Sequence, residues 1–154
     1  MKKKSILFAL AAIMIVAMAG CGASGSDSDS DSVKTADSYK DGTYTGRSED
    51  HEEDEDGNGS GYGEIKLELK DNKVVSCTFT MYELDGTVKD ETYGADLSQE
   101  NRLKAQKAVQ SCDKYAAMLL EQGTPGDIDT VSGATISHSE FVEALNDALS
   151  QAAN

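Results

Sequence analysis

Glu64-Ile65-Lys66-Leu67-Glu68-Leu69-Lys70-Asp71-Asn72-Lys73-Val74-Val75-Ser76-Cys77-Thr78-Phe79-Thr80-Met81 is the run whose reading decides the fold. Ile65, Leu67 and Leu69 alternate with Glu64, Lys66, Glu68 and Lys70. Side chains on a strand point to opposite faces in turn, so this spacing makes one face apolar and the other wet. Asp71-Asn72 is a candidate hairpin turn, and Val75, Cys77, Phe79 and Met81 carry the buried face onto a returning strand. The segment Asp41-Gly42-Thr43-Tyr44-Thr45-Gly46 is expected to add an earlier strand, with Tyr44 covering part of the core. An antiparallel sheet follows.

Downstream the period changes from two to about three and a half. Leu103, Ala105, Ala108, Val109, Cys112, Ala116 and Leu119 fall near one helical stripe that starts near Ser98 and fades at Gln122-Gly123. Pro125-Gly126 turns the chain. Ser137-His138-Ser139-Glu140 has the form of a capping box, predicting a helix start at Ser137. Phe141, Ala144, Leu145, Ala148, Leu149 and Ala152 then form the last apolar stripe. Strands followed by helices predict an α+β domain, a small antiparallel sheet packed against two helices, over residues 39–153. That length suits one domain and one core, and no internal repeat is visible.

The ends bound the compartment. Lys2-Lys3-Lys4 followed by an apolar run from Ile6 to Met18 is the pattern of an export signal, short for a permanent membrane helix. Met18-Ala19-Gly20-Cys21 reads as a lipobox, although Met is less usual than Leu at its first position. The expectation is a signal peptide over residues 1–20, diacylglyceryl attachment to Cys21, and anchoring on the extracytoplasmic face of a bacterial membrane. An ordinary secretory signal with an incidental cysteine is the alternative. Residues 21–38, with their Ser-Asp alternation, read as a disordered acidic tether.

Net charge is −14, from 14 Lys and Arg against 28 Asp and Glu, and removal of the three leading lysines would take the side-chain sum to about −17. Such a chain is a poor partner for nucleic acid. It is also repelled by anionic lipid, so only a tether would hold it near a membrane.

The loop Asp129-Thr130-Val131-Ser132-Gly133-Ala134-Thr135 sets one hydroxyl among small residues just ahead of the last helix. It resembles the flavin-attachment motif of the FMN-binding domain family. That family occurs as a subunit domain of sodium-pumping NADH:quinone oxidoreductases, in ferredoxin-oxidising respiratory complexes, and as small bacterial lipoproteins. The resemblance covers most of the globular part and implies the order hairpin, long helix, attachment loop, terminal helix. It implies that a separate flavin transferase using FAD joins FMN through its phosphate to Thr135, with Asp129, Ser132, Gly133 and Ala134 completing the site. Residue chemistry agrees with this. A threonine hydroxyl is a poor nucleophile at neutral pH, so an acceptor loop needs access more than its own catalytic machinery. Gly133 and Ala134 leave room for close approach, and a helix start just beyond Thr135 would favour a phosphodiester. Asp129 either holds the loop through backbone hydrogen bonds or positions a metal during transfer.

Other segments imitate sites. Asp54-Glu55-Asp56-Gly57-Asn58-Gly59 opens like a calcium-binding EF-hand, but its twelfth position would be Ile65 and a strand follows. An acidic solvent loop from Ser48 to Gly61 is the better reading, with weak cation binding by Glu52, Glu53, Asp54 and Asp56 left open, and no metal site is assigned. The run Gly57 to Gly63 lacks dinucleotide-loop spacing. Cys77 and Cys112 lie on apolar faces, either as buried thiols or as a disulfide. His51 and His138 are expected to face solvent. Between Met81 and Gly94, the tyrosines either pack a connecting loop, or Tyr82 or Tyr93 lies against the flavin ring with Lys89 near it.

The expected function is an electron-carrying flavoprotein, not an enzyme, served by redox partner proteins or a quinone-linked donor. The competing class is a surface lipoprotein without flavin that binds cations or a partner through residues 48–61.

Overall fold

The computed structural model describes residues 32–55 and 57–154. Five elements build the domain: β1 (Gly42–Arg47), β2 (Tyr62–Lys70), β3 (Lys73–Tyr82), α1 (Gln99–Gln122) and α2 (Thr135–Ala152). The strands form one antiparallel sheet in the order β1-β2-β3. Both helices cover its apolar face, α2 over β1 and β2 and α1 over β3. The fold is the small α+β arrangement that the periodicities predict.

Ile65, Leu67 and Leu69 are buried as expected. Asp71 (φ 51°) and Asn72 (φ 60°) both adopt left-handed angles, which gives a two-residue turn of the kind that matches strand twist. The return strand departs from the expected alternation. Val75, expected inside, is 48% exposed, while Val74 is buried. Val74 pairs with Leu69 and Ser76 with Glu68, so Val75 is the extra residue of a β-bulge that resets the inward face at Cys77.

Helix α1 begins where expected. Ser98 caps it by accepting from the Asn101 N–H, and Gly123 ends it at φ 72°, a left-handed angle that favours glycine. Leu103, placed on the apolar stripe by the sequence, is instead exposed. It lies nine residues before Cys112, half a turn out of phase at 3.6 residues per turn. The buried face is made by Ser111, Cys112, Tyr115, Ala116 and Leu119. All six residues of the predicted α2 stripe are buried. At the core centre Phe141 meets Phe79 edge-on at 5.1 Å and stacks on Tyr115 at 5.5 Å.

Close packing of α2 on β1 depends on Gly46. A Cβ there would fall 2.0 Å from the Ala144 carbonyl oxygen and 2.5 Å from the Ala148 nitrogen. The outer edge of β1 is also covered by α2, because Asp147 accepts from the Arg47 N–H and Gln151 donates to the Thr45 carbonyl.

Residues 32–38, expected within the disordered tether, lie along the domain. The Val33 and Lys34 amides donate to Asp127 and Asn146, and Val33 packs against the core. The apolar side chain and two captured amides offset the entropy lost in ordering this segment. The rest of that segment, the signal residues and Cys21 lie outside the described residues. Among the described residues no helix is long and apolar enough to cross a membrane.

Candidate functional site: the α2 N-terminus and its cavity

The predicted attachment loop is held from beneath by a tyrosine. The Tyr115 hydroxyl donates to the Ala134 carbonyl at 2.9 Å and accepts from the Val131 N–H at 3.1 Å. A turn from the Ala134 N–H to the Val131 carbonyl and a left-handed Gly133 (φ 75°) then aim the chain into α2. The helix starts at Thr135, two residues before the predicted start. Ser137 and Glu140 are therefore buried within it and form no capping box; Ala134 stands at the cap with no side-chain hydrogen bond. The first i to i−4 bond runs from His138 to Ala134, so the amides of Thr135, Ile136 and Ser137 are left for other acceptors. Thr135 itself is exposed.

His138, expected in solvent, is buried, and its Nε2 lies 3.0 Å from the Ile128 carbonyl. A carbonyl can only accept, so this ring nitrogen donates and ties the approach to the loop. His51 is half-buried with Nε2 3.3 Å from Glu143 Oε2.

Thr135 borders a cavity of about 360 Å³, within the range of small-molecule sites. The attachment loop contributes Gly133 and Ala134 and helix α2 Thr135, Ile136, Ser137 and Glu140; α1 contributes Lys104, Ala105 and Ala108; Met81, Lys89 and Tyr93 close the sheet side. Gly57, Asn58 and Gly59 complete the wall. The acidic loop is thus more than a solvated excursion. Two hydrogen bonds between His51 and Gly61 pinch its base, and Gly59 lies so close to the Tyr93 hydroxyl that a Cβ would fall 2.2 Å from it. Asp54 spends both carboxylate oxygens on Asn58, at 3.0 Å to the backbone N–H and 2.7 Å to Nδ2. Asp56 lies outside the described residues. Among the described residues no group of three or more His, Cys, Asp or Glu side chains is arranged to hold a metal.

Of the predicted cofactor residues, Gly133, Ala134 and Thr135 meet at the cavity. Ser132 is exposed and outside its lining, and Asp129 borders a separate shallow depression with Met118, Glu121 and Asp127. Lys89 and Tyr93 are at the cavity, with Lys89 Nζ 5.0 Å from the Tyr93 ring centroid. Tyr82 instead stacks on Tyr62 at 5.2 Å. Cys77 and Cys112 are free buried thiols, pushed up to about 12 by burial.

Three side chains at this site, two lysines not singled out above and a glutamate assigned there to a cap, take on another place in the fold. Lys107 crosses Gly133, where a Cβ would fall 2.6 Å from its Nζ, and Lys104 lines the cavity one turn earlier. The signal was present as lysines three apart, each followed by a small residue, Ala105 and Ala108. The third is Glu140, fully buried, with neither carboxyl oxygen hydrogen-bonded. Burial raises its pKa, opposed by nearby Lys89 and His51 and assisted by Glu143. Burial lowers that of Lys89, although Glu140 and Glu83 oppose it. For both groups loss of water outweighs their attraction.

These features fit FMN. The free amides and two lysines suit a phosphate, the apolar walls suit a ring, and the unpartnered carboxyl suits a heteroatom on it. Comparison with known proteins points the same way. The family model described as FMN-binding domain matches residues 38–150. The crystal structure of the CPE2226 protein from Clostridium perfringens shares the fold, with a TM-score of 0.54 at 20% identity over 75% of this chain and 89% of that one. No curated protein matches. With the model spanning the whole sheet and nearly all of α2, this chain belongs to the FMN-binding domain family.

Proposed function

We propose that FMN is joined through its phosphate to Thr135 Oγ1, and that the protein works as a lipid-anchored electron carrier outside the cytoplasm. The observation carrying this is the position of Thr135, exposed at the first residue of α2 and bordering the cavity. An exposed hydroxyl is accessible to a separate transferase. In the transfer, Oγ1 forms the new bond to phosphorus as the bond between the two phosphates of FAD breaks; AMP leaves, and the hydroxyl proton passes to the transferase.

Once joined, FMN supplies the electron-accepting and electron-donating chemistry. The chain does the rest. The α2 amides and the positive end of the helix stabilise the phosphodiester, which keeps one negative charge. Lys107 and Lys104 add counter-charge. Met81, Ala105 and Ala108 exclude water from the ring, and Gly57 to Gly59 cover one side. A covalent bond suits a compartment where a dissociating cofactor would be lost. The sequence supports lipid attachment at Cys21 and export by residues 1–20. Electrons would arrive from a redox partner protein or quinone-linked donor and leave to another partner.

The test is production with a flavin transferase and FAD. The expected result is a mass gain of one FMN less one water, with flavin fluorescence that survives denaturation. Thr135→Ala should abolish both, and Thr135→Ser should retain part. Label persisting on the alanine variant would remove Thr135 from the reading. Cys21→Ser should abolish partitioning into the detergent phase, and unchanged partitioning would count against the anchor.

A further inference from the structure

Buried carboxyls in folded proteins almost always have partners, because stripping one of water without a replacement is strongly unfavourable. Glu140 breaks that rule at 0% exposure, on the wall of the Thr135 cavity, with both oxygens unbonded. Its place in the chain gives no structural reason for a carboxyl. It sits between the buried stripe residues Ser137 and Phe141, and its Cβ lies against Gly63 of β2, where an apolar side chain would pack equally well. Lys89 lines the same cavity and is only 4% exposed, yet the two form no ion pair within 4.0 Å.

We propose that Glu140 is the ring-recognition group of the cavity: a buried carboxyl with no hydrogen-bond partner in the protein, which hydrogen-bonds a heteroatom of a bound flavin ring. This rests on the flavin reading above and adds a specificity-determining residue to it. A neutral carboxyl offers one O–H donor and one carbonyl acceptor, which complements a ring edge carrying adjacent acceptor and donor atoms. Lys89, which lines the same cavity, presents only donors. The two groups together therefore distinguish the polar edge of a heteroaromatic ring from a plain aromatic.

Only the neutral form of a carboxyl can donate, so this recognition depends on pH. The groups surrounding Glu140 are Lys89 and Tyr93 from the segment after β3, Cys112 from α1, His51 from the acidic loop, and Glu143 on its own helix. Burial is the largest influence and favours the neutral form. A carboxyl whose pKa is raised on folding contributes stability below its ordinary value of 4.5 and loses it as pH rises through the folded value. The flavin-free protein should therefore weaken as pH rises through that range, and ring affinity should fall with it.

The experiment uses the protein made without a transferase, titrated with riboflavin and with FMN by fluorescence quenching from pH 5 to 9, beside urea unfolding. Riboflavin isolates the ring from the phosphate. Glu140→Leu should stabilise the flavin-free protein while weakening riboflavin binding about tenfold or more. Glu140→Gln keeps a donor and an acceptor, so it should bind riboflavin near the parental level with the pH dependence removed. Equal riboflavin affinity in all three proteins, or a Glu140→Leu variant that is less stable and binds unchanged, would overturn the proposal. Absence of flavin binding and of transferase labelling in the parent would overturn the flavin reading itself, a separate result.

Discussion

The hydroxyl of Tyr115, in the C-terminal half of α1, holds the carbonyl of Ala134 at 2.9 Å, one residue before the proposed attachment threonine. The same hydroxyl accepts from the Val131 N–H, so a single oxygen fixes both ends of the turn that presents Thr135. The loop's position is thus inherited from the core.

Tyr115→Phe keeps the ring stacking with Phe141 and removes only this oxygen. The expected loss is about 1–2 kcal/mol, since the Val131 amide is left without its acceptor. Urea midpoints measure the loss, and amide exchange at Val131 and Ala134 should quicken more than in β2. Equal protection in both proteins would mean that the loop stands without the tyrosine.

Gly46→Ala tests the contact between β1 and α2. With backbone atoms at 2.0 and 2.5 Å from the added carbon, the helix must move, and the expected destabilisation is about 3 kcal/mol or more. An unchanged denaturant midpoint would contradict the close approach.

For Cys77 and Cys112, pKa values of about 12 leave about one thiol in ten thousand ionised at pH 8. Iodoacetamide should label neither in the native protein and both after unfolding, as read by mass. The sign of the pH effect follows from the upward shift: stability present below 9.0, the ordinary value, is lost as pH rises through about 12. Tyr82, Tyr93 and Tyr115, also raised by burial, act in the same direction.

The acidic loop separates the flavin carrier from a cation-binding module. Because Asp54 is engaged with Asn58, calcium should leave the thermal midpoint within experimental error of the value in chelator. Asp54→Ala should loosen the wall formed by Gly57 to Gly59, seen as faster exchange there. A calcium-dependent rise in midpoint, abolished by Asp54→Ala, would establish a metal site in this loop.

What the sequence made legible was whatever repeats. Ile65, Leu67 and Leu69 and the α2 stripe from Phe141 to Ala152 each carry one unbroken period, and burial follows it. Val74-Val75 defeats the pattern because two equally apolar neighbours do not reveal which is extra; the cross-strand register decides. Ser137-His138-Ser139-Glu140 misleads for a related reason. Its residue types suit a cap, but tertiary contacts start the helix earlier, with Ala134 held by Tyr115 and His138 tied to Ile128. The Thr135 motif was readable as a local string, whereas the cavity beside it is assembled from four separated segments. No period links Lys89, Lys107 and Glu140, so only the fold brings them together.

The cover over β1 bears on how the protein tolerates its own company. A bare outer strand offers unpaired amides and carbonyls to any neighbouring chain and so seeds polymeric sheets. Here Asp147 and Gln151, one helical turn apart on α2, occupy the Arg47 amide and the Thr45 carbonyl on that border. At the opposite border the bulge at Val75 interrupts the regular ladder of β3. Both margins of the sheet resist templating, so many copies confined at high local density can remain separate molecules.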